Sequence, residues 1–311
     1  MLLTYSHLKS PSIINLPDKT KITYDITGIE DIMYNEYIQK ILVSNDKGEI
    51  FIYDTSFNLL HSKKVNTSEG YFNFDSIFNI VIGSFIKQKS DIAYFTYFNI
   101  TENFEFVEEK TFTPKNKYKI INFIKINPSN PTQFICKCKF LTIGGISNLS
   151  LFTNDDELVL DKKINKMSIP EWVSDRTIVY FDNKYILSIF DVIENSFIKK
   201  IDLGVIDTKA VRLKCSNHSI LILIEYELNI YNKITYELES TFHLNLIIKN
   251  IAGISSFIEK DSNNLFISCC NAKLNDQIIS FDLSNGRFEN ILNRFAFNTK
   301  LIYINNFVEL W

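Results

Sequence analysis

Five cysteines, four histidines and a few adjacent carboxylates are the residues with which this chain could do chemistry. Cys136-Lys137-Cys138 and Cys269-Cys270 are the only cysteine clusters. Neither has the paired C-x-x-C spacing or the accompanying histidines of a zinc site. Two residues apart in an apolar stretch, Cys136 and Cys138 point to one sheet face as small buried side chains. Cys215, close to Asn217 and His218, has no activating base and reads as a core thiol. Ile143-Gly144-Gly145-Ile146 lacks the helix, Lys and Ser/Thr of a phosphate loop and reads as a hairpin loop. No Gly-x-Ser-x-Gly nucleophile elbow occurs. Asp155-Asp156-Glu157 form an acidic turn and Glu108-Glu109 flank a strand, so both read as solvated charges rather than acid–base pairs. These residues specify no catalytic, cofactor or metal site.

Two features point to partners instead. Lys115, Lys117 and Lys119, with Tyr118 and Phe123 nearby, make a basic-aromatic cluster; it could touch an acidic partner or RNA, or lie solvated between repeats. Trp172, within Ile169-Pro170-Glu171-Trp172-Val173, is either a hot spot on an exposed rim or a packing residue between sheets. These four are the candidate partner-binding residues.

Composition bounds the rest. The 311 residues are 46% hydrophobic, 14% aromatic and 22% charged, which excludes intrinsic disorder. With 33 Lys+Arg against 36 Asp+Glu the net charge is −3, an even mixture that argues against general affinity for nucleic acid or anionic membrane. The N-terminus has no basic stretch before an apolar run, unlike a secretory signal. The longest apolar span, from Leu246 to Ile258, contains Lys249 and falls short of the roughly 20 residues that cross a bilayer. An odd number of cysteines suits free thiols in a reducing compartment, cytoplasm or nucleus.

The elements that would position these residues show in a repeat. Two or three alternating apolar residues precede an aromatic one, often followed by Asp or Asn. The pattern reads Ile50-Phe51-Ile52-Tyr53-Asp54, Phe95-Thr96-Tyr97-Phe98-Asn99, Leu149-Ser150-Leu151-Phe152-Thr153, Leu187-Ser188-Ile189-Phe190-Asp191, Leu228-Asn229-Ile230-Tyr231-Asn232, Ile278-Ile279-Ser280-Phe281-Asp282 and Phe307-Val308-Glu309-Leu310-Trp311. These seven copies recur at roughly 40 residues, the period of a four-stranded blade. Each placed copy stands third in a set of four β-like runs. In the first set these begin at Ile29, Ile41, Glu49 and Asn58, with Asn45-Asp46-Lys47-Gly48 as a turn. Asn and Asp tolerate left-handed backbone, so a chain with only nine Gly can still turn often.

Inner strands buried on both faces should read as continuous apolar runs, as in Ser219-Ile220-Leu221-Ile222-Leu223-Ile224. Edge strands should be polar, as in Asp161-Lys162-Lys163-Ile164 and Ile198-Lys199-Lys200-Ile201. Ile29, Ile32, Met33, Tyr37, Ile38, Ile41 and Leu42 also fall at helical spacing, an alternative that the period-two pattern of the other copies disfavours.

The residues resemble a divergent WD-repeat β-propeller, whose third strands end in an aliphatic residue, Trp and Asp. Tyr or Phe stands in place of Trp at six markers, and Leu310-Trp311 keeps the family form. The Gly-His pair of that family is missing. The resemblance implies an all-β, seven-bladed propeller closed by an N-terminal strand pairing with the C-terminal blade. Residues 21–311 form the propeller and residues 1–20 an arm or closing segment. Lys21-Ile22-Thr23-Tyr24-Asp25-Ile26 is the first choice of closing strand and the stretch from Leu2 to Leu8 the alternative. The implied function is a non-catalytic scaffold or adaptor in a multiprotein complex, with other proteins as partners, no cofactor, nucleic acid disfavoured as direct ligand and no membrane span. A propeller enzyme with a channel-mouth site, or an RNA-binding subunit, is the alternative.

Overall fold

A computed structural model describes residues 1–6, 9–14, 21–26, 28–65, 73–86, 92–116, 118, 120–139, 147–153, 156–164, 169–182, 184–204, 211–216, 218–248, 251–271, 276–295 and 300–303. The strands form seven four-stranded antiparallel sheets. The chain divides into two compact units, Gly28–Asp207, and Met1–Thr27 with Thr208–Trp311.

The unit Gly28–Asp207 holds four sheets, each built from consecutive strands. The first is Ile29–Asn35, Lys40–Asn45, Glu49–Tyr53 and Leu59–Lys64; the second is Asn73–Ile77, Ile80–Ile86, Ala93–Ile100 and Phe106–Phe112. The third is Ile120–Ile126, Gln133–Lys139, Ser147–Thr153 and Asp156–Ile164; the fourth is Glu171–Trp172, Thr177–Phe181, Ile186–Asp191 and Ser196–Asp202. The stretch from Ile29 to Leu42, with its helical spacing, is thus a hairpin of two strands. Met33 pairs with Leu42 across it.

The other unit contains the fifth sheet (Val211–Cys215, Ser219–Ile224, Glu227–Asn232, Leu238–His243) and the sixth (Ile251–Asp261, Asn264–Asn271, Asp276–Asp282, Phe288–Phe295). A single helical turn, Leu244–Ile247, links them. Its last sheet runs in the order Lys300–Tyr303, Leu2–Ser6, Lys9–Ile14, Lys21–Thr23. Leu2 pairs with Tyr303 and Leu3 with Ile302, so the first strand and the last described one are neighbours. The closing strand is the alternative of the sequence reading rather than its first choice: Leu2–Ser6, not the segment beginning at Lys21, meets the C-terminal strand. Lys21–Thr23 is the exposed outermost strand beyond Lys9–Ile14. Burial explains the exchange, because Leu2, Leu3, Ile13 and Ile14 are all buried, whereas Ile22 is 56% exposed. The seventh marker, from Phe307 to Trp311, lies outside the described residues.

The other six markers each occupy the third strand of their sheet. Second and third strands are buried on both faces, as in Thr177–Phe181 and Ser219–Ile224, while fourth strands such as Leu59–Lys64, Ser196–Asp202 and Leu238–His243 are mostly exposed. Period-two alternation sends successive side chains of one strand into different cores. Val81 packs with the first sheet and Ile82 with the third; Phe134 packs with the second and Ile135 with the fourth. In the other unit Ile279 faces the fifth sheet and Ile278 faces Leu2 and Ile14 of the last.

The Asp or Asn that ends several markers has a local task. Asp54 Oδ1 accepts hydrogen bonds from the N–H groups of Ser56 and Asn58, Asp191 Oδ1 from those of Ile193 and Glu194, and Asn232 Oδ1 from those of Ile234 and Thr235. Each such Asx turn is followed by a residue at positive φ, namely Phe57, Asn195 and Tyr236, and a register shift falls at the marker aromatic. This is a bulged hairpin whose left-handed position is filled by residues other than Gly. The sixth sheet does use glycine there, Gly286 at φ 68° after Asp282. The second sheet shifts the turn by two residues, so Thr101 rather than Asn99 opens it.

Candidate functional site

Trp172 is 5% exposed and packs with Ile135, Leu149, Leu151, Ile178 and Tyr180 between the third and fourth sheets. Its Nε1 donates to the Lys125 carbonyl at 3.1 Å. An indole so placed offers no face to a partner, which corrects the rim position considered for it. Trp172→Phe, which keeps the apolar contacts but leaves that carbonyl without its donor, is expected to cost about 1 kcal/mol in equilibrium urea unfolding. An unchanged midpoint would remove the hydrogen bond from the account.

Lys115 sits in the connection between the second and third sheets with its Nζ 2.9 Å from Asp156 Oδ1, both side chains being exposed. The hydrogen bond and charge of Asp156 raise the Lys115 pKa. Water screens such a surface pair. Lys117, Lys119 and Asp155 lie outside the described residues. The acidic turn is nonetheless structured at Glu157: Oε1 accepts from the buried Tyr118 hydroxyl and from Ser150 Oγ (2.9 Å), while the buried Oε2 has no partner. Burial, then the Glu157 hydrogen bond, pushes the Tyr118 phenol far above its ordinary range.

Cys136 and Cys138 share one face and are fully buried, with their Sγ atoms 3.0 Å apart. Burial, then the neighbouring thiol, raises the Cys136 pKa well above its usual value, the opposite of a nucleophile. All five cysteines are free thiols. Among the described residues no group of three or more His, Cys, Asp or Glu could hold a metal ion, and no helix is long and apolar enough to cross a membrane.

Sequence reading missed a set of polar links between neighbouring sheets, made by their first strands or by the turns that follow them. Asp75 Oδ2 accepts from the Ile126 N–H at 2.7 Å, and Asn73 Nδ2 donates to the Ile121 carbonyl at 2.7 Å, tying the second sheet to the third. Asn127 Nδ2 donates to the Asp175 carbonyl at 2.6 Å, tying the third to the fourth. In the other unit Arg212 Nη2 donates to the Ile254 carbonyl at 3.0 Å between the fifth and sixth sheets. Asn73 and Asp75 stand two apart at the start of a strand, the one sequence signal that could have flagged them.

These links also orient the turns. The first strands of the four-sheet unit run the same way, so the turns joining first to second and third to fourth strands gather at one end. There Asn35 bridges two sheets: Oδ1 accepts from the N–H groups of Tyr37 and Ile38, while Nδ2 donates to Ser76 Oγ and the Phe78 carbonyl. The described turn residues at this end include Glu36, Asp54, Glu102, Glu105, Asp175 and Glu194, against Arg176 as their one basic residue. Arg176 is engaged by Asp191, with Glu194 Oε1 at 3.6 Å. Burial opposes ionisation of Asp191, but the Glu194 and Ile193 N–H groups and Arg176 together hold its pKa below the usual carboxylate value. Its contribution is therefore present above the unfolded pKa of about 3.9 and lost as pH falls through the lower folded value. Asp191→Ala is expected to cost about 1–2 kcal/mol at pH 7 and much less near pH 2, read by denaturation at both.

Comparison with known proteins agrees with this topology. No family model and no curated protein matches the chain. Among solved structures it is similar to the β-propeller domain of Myceliophteria thermophila Cps50 (Swd1), with TM-score 0.62 and 12% identity over 86% of this chain and 87% of that one. It is a seven-bladed β-propeller. Saccharomyces cerevisiae Sqt1 is a second similar structure, with TM-score 0.55 and 9% identity over 90% of this chain and 76% of that one. At these identities the likeness concerns the fold of the propeller alone. Each four-stranded sheet described above is a blade.

Proposed function

We propose that this propeller is a non-catalytic interaction module, a scaffold or adaptor subunit of a multiprotein complex, with residues 21–311 and the closing segment within residues 1–20 acting as one domain. The observation that carries the reading is how its polar side chains are spent. Asp75, Asn127, Asp191 and Arg212 are committed to turns and inter-blade bonds, and the buried Cys136 thiol is deactivated. Large apolar side chains nevertheless stay exposed at turns and outermost strands, including Tyr37, Ile193, Leu59 and Phe197. A stiff body with exposed apolar groups suits display of binding surfaces rather than turnover. Five free thiols support a reducing compartment, cytoplasm or nucleus. The test is affinity purification of the full chain from its native cells at near-physiological salt, followed by cross-linking mass spectrometry. Reproducible companions with cross-links to the blades are expected; recovery solely as a monomer would overturn the reading.

A further inference from the structure

At the turn end of the four-blade unit, Tyr37 is 67% exposed and Phe78 is 40% exposed, and the two aromatic groups meet edge-to-face at 5.4 Å. They belong to different blades, and buried Asn35 holds the backbone of both turns. Phe78 keeps φ at 51°, a region that favours Gly or Asn over an aromatic residue, although its side chain contributes little to the core. Exposed aromatic groups on a fixed backbone lose little further freedom when a partner covers them.

The surroundings choose the partner. Glu36, Glu102 and Glu105 are exposed on the turns of the same two blades. Two bases reach the turn that carries the two last-named glutamates, and both are engaged there: Lys40 lies over the Phe104 phenyl group at 4.6 Å, and Lys63 Nζ donates to the Phe106 carbonyl at 3.1 Å. Carboxylates around aromatic faces attract cations by charge and by the cation–π interaction, and they repel phosphate backbones and anionic lipid.

We propose that this acidic, aromatic patch docks a Lys/Arg-rich segment of a partner protein. The proposal rests on the interaction-module reading and names the chemistry of the partner. Its test uses the full chain with p-benzoylphenylalanine introduced at position 37 or 78 in native cells. Photo-cross-links to a segment of net positive charge, abolished by Glu36→Lys with Glu102→Lys, are expected. Cross-links to an acidic or uncharged segment, or to a second copy of this chain, would overturn it. In vitro, a labelled synthetic peptide of alternating Arg and Leu should bind the purified chain, and one of alternating Glu and Leu should not. Tyr37→Ser with Phe78→Ser should weaken that binding about ten-fold or more. Tyr37→Ser alone, at an exposed position, guards against misfolding of the double variant, and equal affinity for wild type and both variants counts against the patch. Companions recovered without contact here would overturn this inference and leave the interaction reading standing. A chain without companions would overturn the reading, and peptide binding would then decide the patch.

Discussion

Phe152→Ala is expected to destabilise the protein by about 3–5 kcal/mol, among the largest effects of any single substitution. Phe95, Phe134 and Phe152 are all fully buried where the second and third blades meet. Phe134 and Phe152 stack at 5.0 Å with 7° between planes, and Phe95 lies 4.9 Å from each. Truncation removes the apolar surface and the aromatic contacts together and leaves a cavity that neighbours fixed in strands cannot fill. Against a typical total stability of about 5–15 kcal/mol, that loss is decisive. Phe152→Leu, which restores most of the volume, should cost less than half as much. The check is the urea midpoint at unchanged denaturant slope; equal midpoints for the two variants would show that this core is not close-packed.

Asp75 carries the second large effect, and it depends on pH. Burial raises the pKa of its carboxyl, partly offset by Lys125 and by the Ile126 N–H that it accepts at 2.7 Å. With the folded pKa above the unfolded value of about 3.9, its favourable contribution is complete below pH 3.9 and declines as pH rises through the folded value. Asp75→Asn keeps an acceptor for Ile126 and removes the ionisation, so the variant should gain on wild type between pH 4 and pH 7. Asp75→Ala leaves a buried N–H without its acceptor and should cost about 2 kcal/mol at pH 4 and less at pH 7, where wild type has itself lost stability, while staying below Asp75→Asn at both. Denaturation at both pH values separates these outcomes; matching behaviour of the Asn and Ala variants would remove the inter-blade bond from the explanation.

The marker repeat was legible because its causes are local. Tyr53, Phe190 and Tyr231 stand last or next to last in their strands, and Asp54, Asp191 and Asn232 cap the turns that follow, so each motif answers to backbone within about five residues. The candidate site was less legible. Trp172 could be exposed or buried for the same five neighbours in sequence, and its place among Ile135, Leu149 and Ile178 depends on a blade formed from other segments. Tyr37 and Phe78 meet across 41 residues of chain, and neither carries a pattern that anticipates the other.

From residue order alone came the strand positions, the buried second and third strands and the polar fourth ones, because alternation and turn chemistry act over a few residues. Tertiary structure alone decided that Leu2–Ser6 lies beside Lys300–Tyr303, that Asp75 answers Ile126, and that acidic turns of separate blades face the same way. Those outcomes depend on which apolar faces can be buried together, and edge pairing between segments nearly 300 residues apart leaves no mark on either segment's own pattern.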